Sequence, residues 1–194
     1  MKSTLKITAL VLALAGFTLG AKAQTNPTST KTTTSGIRLS IGVDAGIPTG
    51  KLSDNYNWNL GGSVQADIPV ASQLFVTVNA GYNNIFGKDV TVGGVTASAT
   101  NIQLLPVKAG LKYFLVNKLY VQGEAGAAFV LNKKDIGADN SAAFIWAPQV
   151  GYQFPIGGSS YIDAGVRYEA STKLNSGIDD SKVNFFGLRV AYGF

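Results

Sequence analysis

From residue 37 onward, apolar and polar positions alternate with a period of two, the spacing of a strand whose successive side chains point to opposite faces. The pattern recurs over residues 37–47, 58–68, 73–82, 102–114, 118–131, 143–154, 161–170 and 184–194. The last stretch is the cleanest: Phe186, Leu188, Val190, Tyr192 and Phe194 share one face, and Phe185, Gly187, Arg189, Ala191 and Gly193 the other. Eight such strands predict an all-β fold, an eight-stranded antiparallel up-and-down β-barrel. Two prolines resist the scheme, because a closed barrel has no free edge and Pro cannot donate to a ladder. Pro106 and Pro148 each remove a hydrogen bond. A bulge is expected near Leu105-Pro106, where Ile102 and Leu104 stand in the opposite phase from Val107 and Ala109.

The polar face decides which side is inside. It carries the basic residues Arg38, Lys108, Lys112, Arg167 and Arg189 and the acidic residues Asp44, Asp67, Glu124, Asp163 and Glu169. Facing hydrocarbon, an Arg or Lys would cost about 2 to 4 kcal/mol at a bilayer midplane. Facing inward together, the ten can neutralise one another. Eight strands enclose a space just wide enough to be filled by side chains, so the expected lumen is a packed charge network bulked by Phe75, Tyr120, Ile145 and Tyr161. The apolar face then turns outward, and the barrel becomes a transmembrane one.

Connection lengths test this independently. Short links at 69–72, 115–117 and 155–160 alternate with longer ones at 48–57, 83–101, 132–142 and 171–183. Membrane barrels sort their connections in this way, with short turns on one side and long loops on the other; a soluble meander has no reason to. Aromatic residues on the apolar face fall in two belts, as expected at two water boundaries. Tyr113, Tyr152, Phe154, Tyr192 and Phe194 lie by the short turns, and Trp58, Tyr82, Phe129, Phe144, Trp146 and Tyr168 by the long loops.

Residues 1–23 read as a secretory signal: Lys2 and Lys6, an apolar run from Ile7 to Gly20, and the small-x-small site Ala21-Lys22-Ala23. The run is too short for the roughly 20 residues of a spanning helix. Residues 24–36 are polar and aperiodic, a flexible periplasmic lead-in. Removing Lys2, Lys6 and Lys22 lowers the formal charge from +5 to +2, so the basic balance belongs largely to the leader and does not point to nucleic acid. The absence of Cys excludes disulfides, thiolate chemistry and a lipoprotein anchor.

A leader, eight alternating strands and a terminal Phe together resemble the small bacterial outer-membrane β-barrel family that includes OmpX, the OmpA transmembrane domain and opacity-type porin-family proteins. The stretch LLPVKAGLKYFLVNKLYVQGEAGAAF at 104–129 and the AKAQ that closes the leader look like the Bacteroidetes branch. The resemblance implies export to the outer membrane of a Gram-negative bacterium, with periplasmic chaperones and the barrel-assembly machinery as biogenesis partners. It also implies that the terminal strand, through Tyr192 and Phe194, is the assembly signal. Relatives serve in adhesion, immune evasion and envelope integrity. The soluble peptidoglycan-binding domain of OmpA has no counterpart in this sequence.

Catalytic chemistry finds little foothold. The enzymatic outer-membrane families use a histidine, and this sequence has none. Glu124 with Asp163 or Glu169 is the best carboxylate pair, but Arg167 and Lys108 favour ionised, paired carboxylates over a tuned acid. No enzyme activity and no cofactor are expected. Only oxygen ligands are available for a metal, and the densest cluster, Asp179-Asp180-Ser181, reads as a solvated loop tip. Gly93-Gly94 and Gly157-Gly158 lack the strand-to-helix setting of a phosphate loop and read as turns. The long loops hold six Lys against six Asp, no single-sign patch. Within 83–101, Val90, Val92 and Val95 alternate and predict a ribbon that extends strands three and four. The leading expectation is a monomeric barrel with a structural or surface-interaction role, contacting lipid through its wall and an extracellular partner through its loops. Two alternatives use the same residues: a narrow channel for small solutes or ions, and a soluble lipocalin-like ligand-binding barrel with the alternation inverted.

Overall fold

Alternation of this regularity leaves a chain one way to satisfy its backbone polar groups on both sides, which is to close the sheet. The computed structural model, which describes residues 36–92, 95–175, 177 and 181–194, shows that closure. Eight long strands form one barrel: β1 (Arg38–Pro48), β2 (Tyr56–Ala71), β3 (Leu74–Gly87), β6 (Ile102–Phe114), β7 (Leu119–Val130), β8 (Ala142–Gly157), β9 (Ser160–Lys173) and β10 (Lys182–Gly193). They run antiparallel in the order β1-β10-β9-β8-β7-β6-β3-β2, and β1 pairs with both β2 and β10. The leader, residues 24–35, Gly93-Gly94 and Asp179-Asp180 lie outside the described residues.

Three tight connections join β2 to β3, β6 to β7 and β8 to β9, closing with the pairs Ala71↔Leu74, Phe114↔Tyr120 and Gly157↔Ser160. Gly158 sits at φ 57° in the last of these, the left-handed region that favours glycine. At the opposite end the connections are longer and carry structure of their own. The first contains a single helical turn, α1 (Leu52–Asn55). The second contains β4 (Asp89–Val92) and β5 (Val95–Ser98), which pair with each other in the register of Ile85↔Ile102, with Ala99 N–H donating to Lys88 O at 3.0 Å between the two stretches, so the ribbon prolongs strands three and four as expected.

The expected bulge at Leu105-Pro106 is absent. On one side Leu104↔Val130, Leu105↔Phe129 and Pro106↔Ala128 run in unbroken register, and on the other Ala80↔Val107 and Asn83↔Leu104 share one register. Pro106 lacks only its donor. Ile102 and Leu104 keep the inward phase of Pro106 and Lys108, because the lumen at that end is apolar. The phase change read from the sequence marks a change in lumen polarity along the barrel axis, with no extra residue in the strand.

Side-chain orientation is inverted relative to a soluble domain. Ile41 (58% exposed), Val64, Val121 and Val166 face outward, whereas Lys108 and Lys112 (1% each) are enclosed. A soluble ligand-binding barrel would need the first group at its centre, so that alternative is removed. The outward aromatics gather near the two rims. By the tight turns Tyr152 lies beside Phe154 and Tyr192 beside Phe194; by the long loops Trp58 stacks on Phe86, and Tyr168 lies between Trp146 and Phe186. Trp58, Tyr82, Tyr113 and Trp146 are all well exposed on this face, with Tyr168 half-buried among its aromatic neighbours.

Candidate functional site

Strand alternation delivers the charged side chains to the lumen from six of the eight strands, in two ionic groups. Nearer the long loops, Lys108 Nζ on β6 lies 2.7 Å from Glu169 Oε2 on β9 and 3.5 Å from Glu124 Oε2 on β7. Arg167 on β9 continues the chain, with Nη2 2.8 Å from Asp44 Oδ1 on β1 and Nε 4.0 Å from Glu169. The Arg167–Asp44 contact is an ion pair without hydrogen-bond alignment, and Arg167 Nε and Nη1 have no hydrogen-bond partner. Nearer the tight turns, Lys112 Nζ lies 2.7 Å from Asp67 Oδ2 and 3.7 Å from Asp163 Oδ2. Asp163 also accepts from the Tyr120 hydroxyl at 2.6 Å and from Gln153 Nε2 at 2.8 Å.

Register neighbours are not the ionic partners. Arg38 stands opposite Asp67 and Asp44 opposite Arg189 in the ladders, yet Asp67 pairs with Lys112 and Asp44 with Arg167. In so narrow a barrel a long side chain reaches across the space it shares with every strand. Arg189, enclosed like the lysines, donates to the hydroxyls of Ser63 at 3.0 Å and Ser40 at 3.1 Å. Arg38 is half-buried at the tight-turn end, donates to Gln153, and lies over the rings of Tyr161 (4.4 Å), Phe75 (5.4 Å) and Phe114 (5.8 Å). Cation–π contacts of this kind favour a guanidinium that is only partly hydrated. Of the ten charges singled out in the sequence, nine are buried, and Arg38 lies at the rim. Glu124 and Glu169 share one lysine, while Asp163 belongs to the other group. Each of the three carboxylates lies within 4 Å of a lysine ammonium.

Sequence reasoning missed the polar residues that knit these charges together and the apolar plug at the long-loop end. Gln65 donates to Asp67 at 2.7 Å and accepts from Asn79 at 3.2 Å, and Gln149 donates to Tyr120 at 2.7 Å. Their signal was position on the charged face. The plug consists of Leu52 on α1 with Ile85, Ile102, Leu104, Val130, Ile145, Val183 and Phe185, all buried. Its signal was the inward phase of Ile102, Leu104 and Phe185. The lumen is therefore layered: an aromatic rim with Arg38, a middle of four basic and five acidic side chains, and an apolar stopper beneath the loops.

The loops above the stopper are tied to one another. Asp139 N–H donates to Asn175 Oδ1 at 2.6 Å, Asn140 N–H to Leu174 O at 3.0 Å, Lys88 Nζ to Ser53 O at 2.5 Å, and Lys88 N–H to Asn55 O at 2.7 Å. Burial pushes the Tyr56 hydroxyl up from its ordinary value, and that hydroxyl donates to Thr100 O at 3.2 Å. Between α1 and the last two loops a cleft of about 150 Å³ remains open. Among the described residues no three metal-ligating side chains converge, and no helix is long and apolar enough to cross a membrane, which says nothing of strands.

A closed antiparallel barrel with an apolar outer wall, two aromatic belts and an ionic lumen is an outer-membrane type of barrel. The chain belongs to the outer membrane protein beta-barrel domain family, whose model matches residues 9–194. No curated protein sequence matches it significantly. Among solved structures it is similar to outer membrane protein AlkL, determined in DMPC lipid bilayers (TM-score 0.54, 15% identity, covering 89% of this chain and 95% of that one). It is similar also to the Yersinia pestis outer membrane protein Ail in a phospholipid nanodisc (TM-score 0.53, 18% identity, 81% and 98%). A third is OprG from Pseudomonas aeruginosa (TM-score 0.50, 12% identity, 81% and 93%). At these identities the likeness is one of fold.

Proposed function

We propose that the protein is a closed, non-conducting barrel of a Gram-negative outer membrane, exported by the leader at 1–23, that presents its long loops as a contact surface. The observation that carries this reading is the filled lumen. Lys108 and Lys112 each hold two carboxylates across it, and the apolar stopper of Ile85, Ile102, Leu104 and Phe185 closes the long-loop end. An ion entering would have to break ion pairs in a low-dielectric space and then pass a dry layer, each step costing several kcal/mol. The wall serves as the lipid contact, and β10 with Tyr192 and Phe194 is the segment offered to chaperones and the assembly machinery. The role is binding and structure, without catalysis, and the barrel works as a monomer. Purified protein added to planar bilayers is expected to give no stable openings, while the folded band shifts on boiling and stays with membranes after carbonate extraction. Reproducible conductance steps would replace this reading with that of a narrow channel; release by carbonate would remove the membrane assignment.

A further inference from the structure

Pro148 removes a ladder hydrogen bond at an identifiable place. Toward β7 its pairing is intact: Ala147↔Glu124, Pro148↔Gly123 and Gln149↔Gln122 run without a break. Toward β9 the ladder stops after Trp146↔Ala170 and resumes at Gln149↔Arg167 in the same register. A residue in an antiparallel ladder turns its N–H and C=O to one neighbouring strand, so the donor that proline lacks is the one due to Tyr168 C=O across the β8–β9 seam. The lumen side chains behind the seam do not replace it. Gln149 Nε2 donates to Tyr120, and Arg167 Nε and Nη1 have no hydrogen-bond partner. The outer wall is recessed at the same seam. Pro148 and Gly123 stand side by side on the outer face, and a Cβ at Gly123 would meet nothing within 4 Å. Around them Leu111, Tyr113, Val121, Val150, Val166 and Phe186 border an open groove of about 730 Å³. It takes in Tyr168 and reaches Gln149 and Arg167, residues whose side chains belong to the lumen. Every residue that lines it is among the described ones.

We propose that this groove holds one chain of a membrane lipid, an acyl chain hydroxylated close to its headgroup, whose O–H donates to Tyr168 C=O. Hydrocarbon is what covers an outward wall between two aromatic belts. A backbone acceptor left without a donor there is costly, because no water is at hand to satisfy it. A plain acyl chain fills the recess over Gly123 and leaves the carbonyl unpaired; a hydroxylated one does both. Position fixes the orientation. Tyr168 and Phe186 lie in the belt by the long loops and Tyr113 in the belt by the tight turns, so the groove runs across the wall between them. The headgroup then stands in the leaflet on the long-loop side, the hydroxyl lies level with Tyr168, and the chain descends past Val166, Val150 and Gly123. The receiving surface is a strand wall, already ordered before the chain arrives, so little conformational freedom is lost on binding.

This inference rests on the reading of the wall as the lipid contact and names the lipid chain that one part of it prefers. The test uses the full-length mature protein in nanodiscs of unhydroxylated phosphatidylcholine, titrated with 3-hydroxytetradecanoate or with tetradecanoate. The Tyr168 carbonyl carbon and the amides of Val150 and Val166 are followed by NMR, with Val64 on β2, across the barrel, as the reference. The hydroxylated acid is expected to move the Tyr168 carbonyl downfield and to saturate at a concentration at least fivefold below that of the plain acid, with Val64 unmoved. Pro148→Val supplies the missing N–H, so the Tyr168 carbonyl should stand shifted before any acid is added and the preference should vanish. Gly123→Leu fills the groove and should abolish the response of Val150 and Val166 to both acids. Each variant is checked for a heat-modifiable folded band, so a misfolded barrel is not mistaken for a lost site. Equal response to the two acids, survival of the preference in Pro148→Val, or equal shifts at Val64 and Val150 would overturn the proposal. Retention after carbonate extraction, measured on the same preparations, reports separately on the wall as a lipid contact.

Discussion

Lys112 shows how each lumen charge is held in place by its neighbours. Its ammonium lies between Asp67 and Asp163 and 4.6 Å from the Tyr120 ring, and the residue is enclosed. Removing one member of a buried ionic group leaves an uncompensated charge, typically a loss of about 3 to 5 kcal/mol. Lys112→Met should therefore lower unfolding free energy by about that amount in urea titrations from lipid vesicles. On the outer face the sign of the environment reverses. Val166→Arg places a guanidinium against hydrocarbon and should cost about 2 to 4 kcal/mol by the same measurement. Lys134→Ala, at a loop position, should stay within about 0.5 kcal/mol. The identity of the charged positions was legible in the sequence because alternation assigns a face to each residue. Their partners were not: Asp67 lies opposite Arg38 in register yet binds Lys112, since partner choice depends on strand tilt and lumen width, which no local pattern encodes.

At the scale of strands, the interior is fitted by pairing large side chains with glycines. Tyr120 on β7 lies directly opposite Gly151 on β8, and Tyr161 on β9 opposite Gly193 on β10. A Cβ at Gly151 would fall 2.3 Å from the Tyr120 ring, while one at Gly123 would meet nothing within 4 Å. Gly151→Ala should cost about 1 to 3 kcal/mol, as overpacking does, and less than half of that where Tyr120 is already Leu, a coupling that a double-mutant cycle reads directly. Gly123→Val should be neutral. Strand number, order and the sorting of short and long connections were legible from period and spacing alone. The bulge expected at Leu105-Pro106 was a misreading of inward-facing Ile102 and Leu104. A two-state code of apolar outside and polar inside cannot represent a lumen whose polarity changes along its axis, and Val183, read as part of a connection, opens β10 with its side chain buried.

For the whole molecule, the balance of the loops conceals a local asymmetry. Six Lys against six Asp cancel in a count, whereas the fold brings Lys51 and Lys182 to one cleft whose described lining includes no carboxylate. Sequence spacing could not show this, because Lys51 lies in the first long connection and Lys182 at the start of β10, and the two meet only when β1 closes on β10. That closure depends on the reversed polarity of the wall. The most direct test uses the natural lack of cysteine: single spin labels at positions 64, 78, 166 and 190, with 77 and 79 as inward references, in protein reconstituted into vesicles. Labels at the four outward positions should be relaxed strongly by oxygen, which partitions into lipid, and weakly by a polar nickel chelate, while labels at 77 and 79 are shielded from both. High chelate accessibility at 64, 78, 166 and 190 would contradict the account.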